Sequence, residues 1–547
     1  MALNIADLVE HAVDVVPERT ALVCGDRSVT YAELEQRTNR LAHYLSARGV
    51  GPGSHVGVHT RNRIEAVETM VAAYKLRAVA INVNYRYVRN ELRYVFDNAD
   101  LVALVHERQY TEAVADVLPD VPGLQNVLYL EDGSDADVSG YGGVEYESAL
   151  AEASSDRDFG ERSSDDLYVL YTGGTTGHPK GVMWRHEDVW RVLGGGIDFT
   201  TGERITDEWH QSRQGEENGG LVTMPIPPLI HGAAQWATLG GLFSGSTIVL
   251  VPQFDGHEVW RMIQRHAVNI VAMTGDAMAR PLIEAFREGD YDASSLLALS
   301  SSAALFSPSL KEQYLDVLPN VIITDSIGSS ETGFGGIGIV QRGSKYSGGP
   351  RVQPGKDSIV VDDSGRQVEP GSDVVGYLAK GGHIPLGYYK DPDKTAAMFT
   401  EVDGKRYVTP GDQAMVEEDG SITLLGRGNM CVNTGGEKVF PEEVEGALKS
   451  HPDVFDAVVI GVPDERLGER VAAIVQARDG RAPDFAGLTD HVRGEIAGYK
   501  VPRSLWLTEQ VMRNPGGKPD YRWAQTYASE NEAHAHLGAA RSQTTPN

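Results

Sequence analysis

Cations are scarce in this chain: 49 lysines and arginines stand against 77 aspartates and glutamates, a formal net charge of −28 over 547 residues. Such a field repels nucleic-acid backbones and anionic bilayers, which excludes nucleic-acid binding and purely electrostatic membrane docking. Cysteine is scarcer still. Cys24 and Cys431 are the only two, far apart and without metal-ligand spacing, which excludes a disulfide framework and a zinc site and fits a reducing cytoplasm. No apolar run reaches the roughly eighteen residues of a spanning helix. The N-terminal stretch MALNIADLVEHAVDVVPERT has acidic residues where a signal peptide has basic ones. At 41% hydrophobic and 23% charged residues the composition is globular, and the length demands more than one domain.

Against that acidic background residues 171–181, YTGGTTGHPKG, gather four glycines, three threonines and Lys180. Glycines let successive N–H groups converge on an anion, the hydroxyls add donors, and the ammonium adds charge, so the string reads as a phosphate cradle. The apolar run 167–171 before it predicts a strand, which puts the loop where open α/β sheets place ligands. A Walker loop is excluded because Lys180 lies between Pro179 and Gly181 and cannot open a helix. The plain alternative is a surface loop, since glycine and threonine clusters usually form one.

Before the loop, Thr30-Tyr31-Ala32-Glu33 predicts a capping box, with Leu34, Leu41, Ala42 and Leu45 on one helical face until Gly49 and Gly51. Strand-like 56–58, a helix over 64–74 and strands at 79–83, 101–106 and 127–130 predict a layered α/β domain. After the loop, the polar stretch 200–220 reads as a surface excursion. PIPPLIHG at 225–232 brings one histidine on a rigid turn, a residue more often structural than catalytic when it stands alone. Strand 321–324 runs into DSIGSSETG, where a carboxylate beside hydroxyls suits Mg²⁺ and a phosphate. Gly411-Asp412 and Gly426-Arg427 punctuate a β-rich stretch. Beyond residue 429, a helix over 441–448, strands at 457–462 and 471–477, and a helix near 488–496 make a compact α+β unit. Asn514-Pro515-Gly516-Gly517-Lys518-Pro519 carries a lysine on a turn, and after about Ala528 the chain turns polar, as a disordered tail does.

In identity and order these strings resemble the acyl-adenylate-forming (AMP-binding) superfamily of acyl-CoA synthetases, luciferases and peptide-synthetase adenylation domains. The resemblance runs from the first helix to Lys518. The strings MWRHED, PIPPLIHGA, TDSIGSSETGFGG, GGEKV and YKVPRSLW look like those of actinobacterial acyl-CoA synthetases, nearest to steroid side-chain CoA ligases acting on 3-oxocholest-4-en-26-oate-type acids. It implies a layered α/β N-terminal domain over 1–428 with a β-rich subdomain from about 340, a mobile α+β C-terminal domain over 429–528, and a disordered tail over 529–547. The implied activity is an ATP-dependent, Mg²⁺-requiring acid–thiol ligase that passes a bulky lipid acid through acyl-AMP to CoA, with a homodimer allowed. A long-chain fatty-acid CoA ligase, an acyl-AMP ligase loading a carrier protein and a silent adenylate-binding paralogue remain the alternatives.

Residue by residue, the resemblance gives Thr172, Gly173, Gly174, Thr175, Thr176, Gly177 and Lys180 to the ATP phosphates. Ser301, Ser302, Ala303, Asp325, Ser326, Ile327 and Gly328 line the adenine pocket, with Ser330 and Glu331 near the α-phosphate and Mg²⁺. Asp412 and Arg427 take the ribose, Asn429 is the hinge, and Lys518 reaches the carboxylate and α-phosphate. His231 lies beside the acyl carboxylate, so Lys518, Glu331, Thr176 and His231 form the implied catalytic set. Gln235, Trp236, Thr274, Gly275, Met278 and Phe334 are implied around the acyl chain. Five positions depart from the family pattern: Ile327 replaces an adenine-stacking aromatic, Ser330 a threonine, Gly173 a hydroxyl residue, and Asn429 with Met430 a charged hinge.

Overall fold

The computed structural model describes residues 4–172, 178–197, 203–304, 306–343, 351–427, 431–434, 437–464, 467–496, 498–514 and 517–536. Thr30 caps the helix Tyr31–Ser46 as its sequence requires: its hydroxyl accepts from Glu33 N and the Glu33 carboxylate accepts from Thr30 N. Leu34, Leu41, Ala42 and Leu45 are fully buried on one face of it. The helix Ile64–Lys75 is buried all round, and its Lys75 ammonium is held between Glu10 and Glu35 at the base of the first helices.

Among the described residues the strands form four sheets. A five-stranded parallel sheet carries His55–His59 between Val79–Asn82 and Leu101–Glu107. The largest sheet is parallel across Thr20–Cys24, Thr247–Leu250, Val222–Pro225, Ile270–Met273, Ala298–Ser302 and Ile322–Ser329. It turns antiparallel at Gly333–Val340 and runs on through Arg351–Pro354 into the β-rich strands up to Ile422–Arg427. A separate sheet built on Val454–Asp464 and Gly468–Ala477, with its own apolar core, makes the small C-terminal unit. Among the described residues no helix is long and apolar enough to cross a membrane.

Two expectations are corrected, and the surface stretch, largely exposed over 203–220, gains a helix. The strand Leu167–Thr172 belongs to a three-stranded antiparallel sheet with Lys180–Arg185 and Gly387–Tyr388, so the glycine loop closes a hairpin and does not leave a parallel sheet. The polar stretch 200–220 contains the helix His210–Glu217, whose Gln211 accepts the Trp190 indole N–H at 2.7 Å and donates to Gly194 O at 2.7 Å. Part of the tail is ordered as well: the helix Tyr521–Glu530 runs past residue 528, and Ala535–His536 pairs with Ser504–Thr508.

Candidate functional site

The hairpin of Leu167–Thr172 and Lys180–Arg185 sets Thr172 opposite Lys180, which fixes the ends of the glycine loop. Gly173, Gly174, Thr175, Thr176 and Gly177 lie outside the described residues, as does Asn429. Asn82 ties the hairpin to the histidine turn: its side-chain amide donates to Tyr171 O and Ile230 O, each at 2.7 Å, and its oxygen accepts from Tyr171 N. His231 thereby becomes the residue before the helix Gly232–Phe243, beside the end of the loop strand.

A cavity of about 440 Å³ opens between these elements. Thr172, His231, Trp236, Thr274 and Phe334 line it, together with Ser302, Ala303, Ser326, Ile327, Gly328 and Ser330, and Lys518 enters from the C-terminal unit. Two backbone features shape the polar side. Ala303 is held at φ 65°, an uncommon conformation for a residue with a Cβ and one found where a site over-determines its backbone. Gly328 cannot be replaced, because a Cβ there would lie 2.0 Å from Gly333 O across the hairpin.

Lys518 reaches the cavity on a turn in which Asn514 Oδ1 accepts from Lys518 N at 3.0 Å. Gly517 makes the entry possible: its φ is +74° and a Cβ would press on Thr274 Oγ1 at 3.0 Å. Arg513 clamps the turn to the C-terminal sheet, donating to Gly517 O and to both oxygens of Asp456 at 2.6 and 2.7 Å. Burial, then the Lys518 ammonium and Arg86, push the His231 imidazole down to about 4, so it is neutral at neutral pH. Its Nε2 is buried without a hydrogen-bond partner among the described residues, free to meet a ligand oxygen.

Glu331 and Lys180 are joined through a residue that sequence reasoning missed. Tyr388 Oη donates to Glu331 Oε1 at 3.0 Å, and Lys180 Nζ lies 5.0 Å from the centre of the Tyr388 ring. Burial, and Lys394 after it, hold the Lys180 ammonium below the usual lysine range. Trp184, also unassigned from sequence, donates its indole N–H to Ser330 O at 3.0 Å. The signal for Tyr388 was the Gly387-Tyr388-Tyr389 string, indistinguishable by composition from any edge strand.

Further implied residues lie outside the lining of that cavity. Gln235 is engaged inside the core, accepting from Tyr168 Oη at 2.7 Å and donating to Leu229 O at 2.8 Å. Asp325 pairs with buried Lys311, and Ser301 Oγ accepts from Gly275 N, so these three brace the strand ends. Met278 lines a second cleft of about 1030 Å³ between the large and small units. Asp412 stands opposite Arg427 in the hairpin of the β-rich strands, half-buried.

Comparison with known proteins agrees with this architecture. Residues 9–389 match the model of the AMP-binding enzyme family and residues 443–518 that of the AMP-binding enzyme C-terminal domain. The 3-oxocholest-4-en-26-oate–CoA ligase of Rhodococcus rhodochrous is 61% identical over 531 residues, 96% of each chain. A medium/long-chain-fatty-acid–CoA/3-oxocholest-4-en-26-oate–CoA ligase of Mycobacterium tuberculosis (strain ATCC 25618 / H37Rv) is 59% identical over 526 residues, again 96% of each. The crystal structure of the anthranilate CoA ligase AuaEII in complex with anthranoyl-AMP superposes with a TM-score of 0.82 at 21% identity, covering 96% of both chains.

Proposed function

Because the chain belongs to the AMP-binding enzyme family, we propose that it is an ATP-dependent acyl-CoA ligase that activates a bulky lipid acid of the 3-oxocholest-4-en-26-oate type. The observation that carries this reading is the convergence of Lys518, His231 and the end of the phosphate-loop strand on one cavity. In the first half-reaction a carboxylate oxygen attacks the α-phosphorus of ATP, the new acyl–phosphate bond forms and pyrophosphate leaves. Lys518 neutralises the carboxylate and α-phosphate oxygens, and neutral His231 orients the carboxylate through Nε2. In the second, the small domain turns away, the CoA sulfur attacks the acyl carbon, its proton is lost and AMP leaves. Such chemistry asks for positioning and charge neutralisation, not for a protein nucleophile.

Mg²⁺ belongs to the same proposal. Among the described residues no three His, Cys, Asp or Glu side chains gather to hold a metal alone, which suits a cation ligated mainly by phosphates and by Glu331. Bound there, it would neutralise charge on the leaving pyrophosphate. The adenine lies against Ile327, an aliphatic face, and Asp412 accepts from the ribose hydroxyls. Asp412→Ala is expected to raise the dissociation constant for ATP by roughly tenfold, the loss of a charge-assisted pair of hydrogen bonds. Equilibrium titration with ATP checks this, and an unchanged affinity removes Asp412 from the ribose.

The substrate class is tested by supplying ATP, Mg²⁺, CoA and either a sterol C26 acid or a straight long-chain fatty acid, with the acyl-CoA detected by mass. The sterol acid is expected to give the larger kcat/KM. The double name of the 59% identical relative keeps the fatty acid as the second reading, and preference for it would move the assignment there.

A further inference from the structure

We propose that Tyr388 is a positioning residue that locks the phosphate-loop lysine and the metal-side glutamate into one unit, so that ATP and its divalent cation bind cooperatively. The proposal rests on the ligase reading for the roles of Lys180 and Glu331, and on geometry for Tyr388. Its hydroxyl donates to Glu331 Oε1 at 3.0 Å, while its ring lies 5.0 Å beneath Lys180 Nζ. One aromatic side chain thus touches both charges through different chemistries, a hydrogen bond to the carboxylate and a cation–π contact to the ammonium.

The backbone around Tyr388 is built to hold that pose. Gly387–Tyr388 is an edge strand paired with the lysine strand, Tyr388 opposite Val182 and Gly387 opposite Met183. Leu386 N and Tyr389 N each donate across it at 2.8 Å, to Met183 O and Gly181 O. Tyr388 N donates to Thr395 Oγ1 at 2.8 Å, and that hydroxyl donates to Asp391 O at 2.7 Å. Gly387 has φ +143° and no room for a side chain, since a Cβ would fall 2.3 Å from Thr395 Cγ2. Strand pairing, the threonine and the glycine leave Tyr388 little freedom, so a carboxylate bonded to it is held in one rotamer.

The consequence is a division of labour within one side chain. The hydroxyl presents Glu331 with Oε1 engaged and Oε2 left for a cation, whereas the ring offsets part of the desolvation of Lys180. Removing the hydroxyl alone therefore weakens the cation-dependent part of nucleotide binding. Removing the ring also weakens the cation-independent part.

The test is calorimetric titration of the full-length protein with ATP, in Mg²⁺ and in EDTA, for wild type, Tyr388→Phe, Tyr388→Leu and Glu331→Gln. Tyr388→Phe is expected to lose about tenfold in ATP affinity with Mg²⁺ and to match wild type in EDTA, the size of one hydrogen bond to a charged group. Tyr388→Leu adds a loss of roughly threefold in EDTA, the size of a partly exposed cation–π contact. In the Glu331→Gln background Tyr388→Phe is expected to add little, because its partner charge is gone. Equal losses for Tyr388→Phe with and without Mg²⁺, additive effects with Glu331→Gln, or binding indistinguishable from wild type would each overturn the proposal. These titrations require no acyl substrate. Failure of wild type to make acyl-CoA would count against the ligase reading alone, and a Tyr388→Phe deficit without Mg²⁺ dependence against the positioning role alone.

Discussion

Replacing Lys518 with alanine is expected to lower acyl-adenylate formation by about 10²- to 10³-fold, the usual cost of removing one preorganised charge from a developing anion. Thioester formation from supplied acyl-AMP should continue at close to the wild-type rate. The asymmetry follows from where the lysine is anchored. Its turn is held by Arg513 to Asp456, a residue of the C-terminal strand Val454–Asp464, and enters the cavity beside Thr274 only because Gly517 lacks a side chain. In the proposed two-pose cycle the small unit carries Lys518 away after the first half-reaction, so nothing in the second depends on it. The fold and the rest of the cavity lining are untouched, since Thr172, His231 and the strands Ala298–Ser302 and Ile322–Ser329 belong to the large unit. Single-turnover measurement of pyrophosphate release and, separately, of acyl-CoA formed from acyl-AMP checks both halves. Equal loss in the two would contradict the two-pose assignment.

The contrast between Lys518 and Asp325 shows what the sequence could convey. A lysine in a proline- and glycine-rich turn is an unremarkable surface feature by composition, and only its place in an ordered set of motifs marked it. The set was legible because adenylate chemistry needs small residues and hydroxyls at fixed points along the chain. Asp325 carried the same small-residue signature, yet Lys311, fourteen positions earlier, takes its carboxylate in the fold, and local spacing does not reveal such partners. Gln235 shows the same limit: its partners are Tyr168, far away in sequence, and the Leu229 carbonyl.

Secondary structure followed a similar division. Helices with a clear apolar face and a capping box, such as Tyr31–Ser46, were readable from periodicity. The helix His210–Glu217 was not, because its inward face is polar and small. Gln211 is satisfied by Trp190 and Gly194, and Gly215 is pressed so close to Ser244 O that a Cβ would lie 1.7 Å away. The same limit hid the setting of the glycine loop. An apolar run predicts a strand but not its neighbours, and here those neighbours are antiparallel.

One face of the helix Gly275–Glu288 gives a second large prediction, on the pose itself. Asp276, Arg280 and Glu284 recur every fourth residue and meet the small unit: Asp276 pairs with Lys449 at 3.2 Å, Arg280 faces the Phe455 ring at 5.8 Å, and Glu284 pairs with Arg478 at 2.7 Å. Burial separates the two ion pairs energetically. The Lys449 and Asp276 side chains are 2% and 5% exposed, those of Arg478 and Glu284 about a third. A pair exposed to that degree is worth about 0–1 kcal/mol. Removing one member of a buried pair costs about 3–5 kcal/mol, because the other charge stays stranded. Lys449→Met therefore removes one of the charges that compensate Asp276, and does so only while the small unit occupies this pose. Ser307 N, donating at 2.7 Å, and Arg280 stay with the carboxylate, and the loss that buried Glu445 feels beside Lys449 is common to both poses. With the carboxylate still partly compensated, the variant is expected to shift the pose equilibrium by about 10- to 10²-fold at 1.36 kcal/mol per decade. Adenylation should slow and thioester formation from acyl-AMP should hold or quicken, while Arg478→Ala changes either rate by less than about fivefold. A donor and acceptor dye on the two units would report the shift directly as a change in their distance distribution. Equal responses to Lys449→Met and Arg478→Ala would mean that burial of the pair does not set the pose. An unchanged distance distribution with slowed adenylation would place the effect of Lys449 inside the site, with Lys518, and not at the interface.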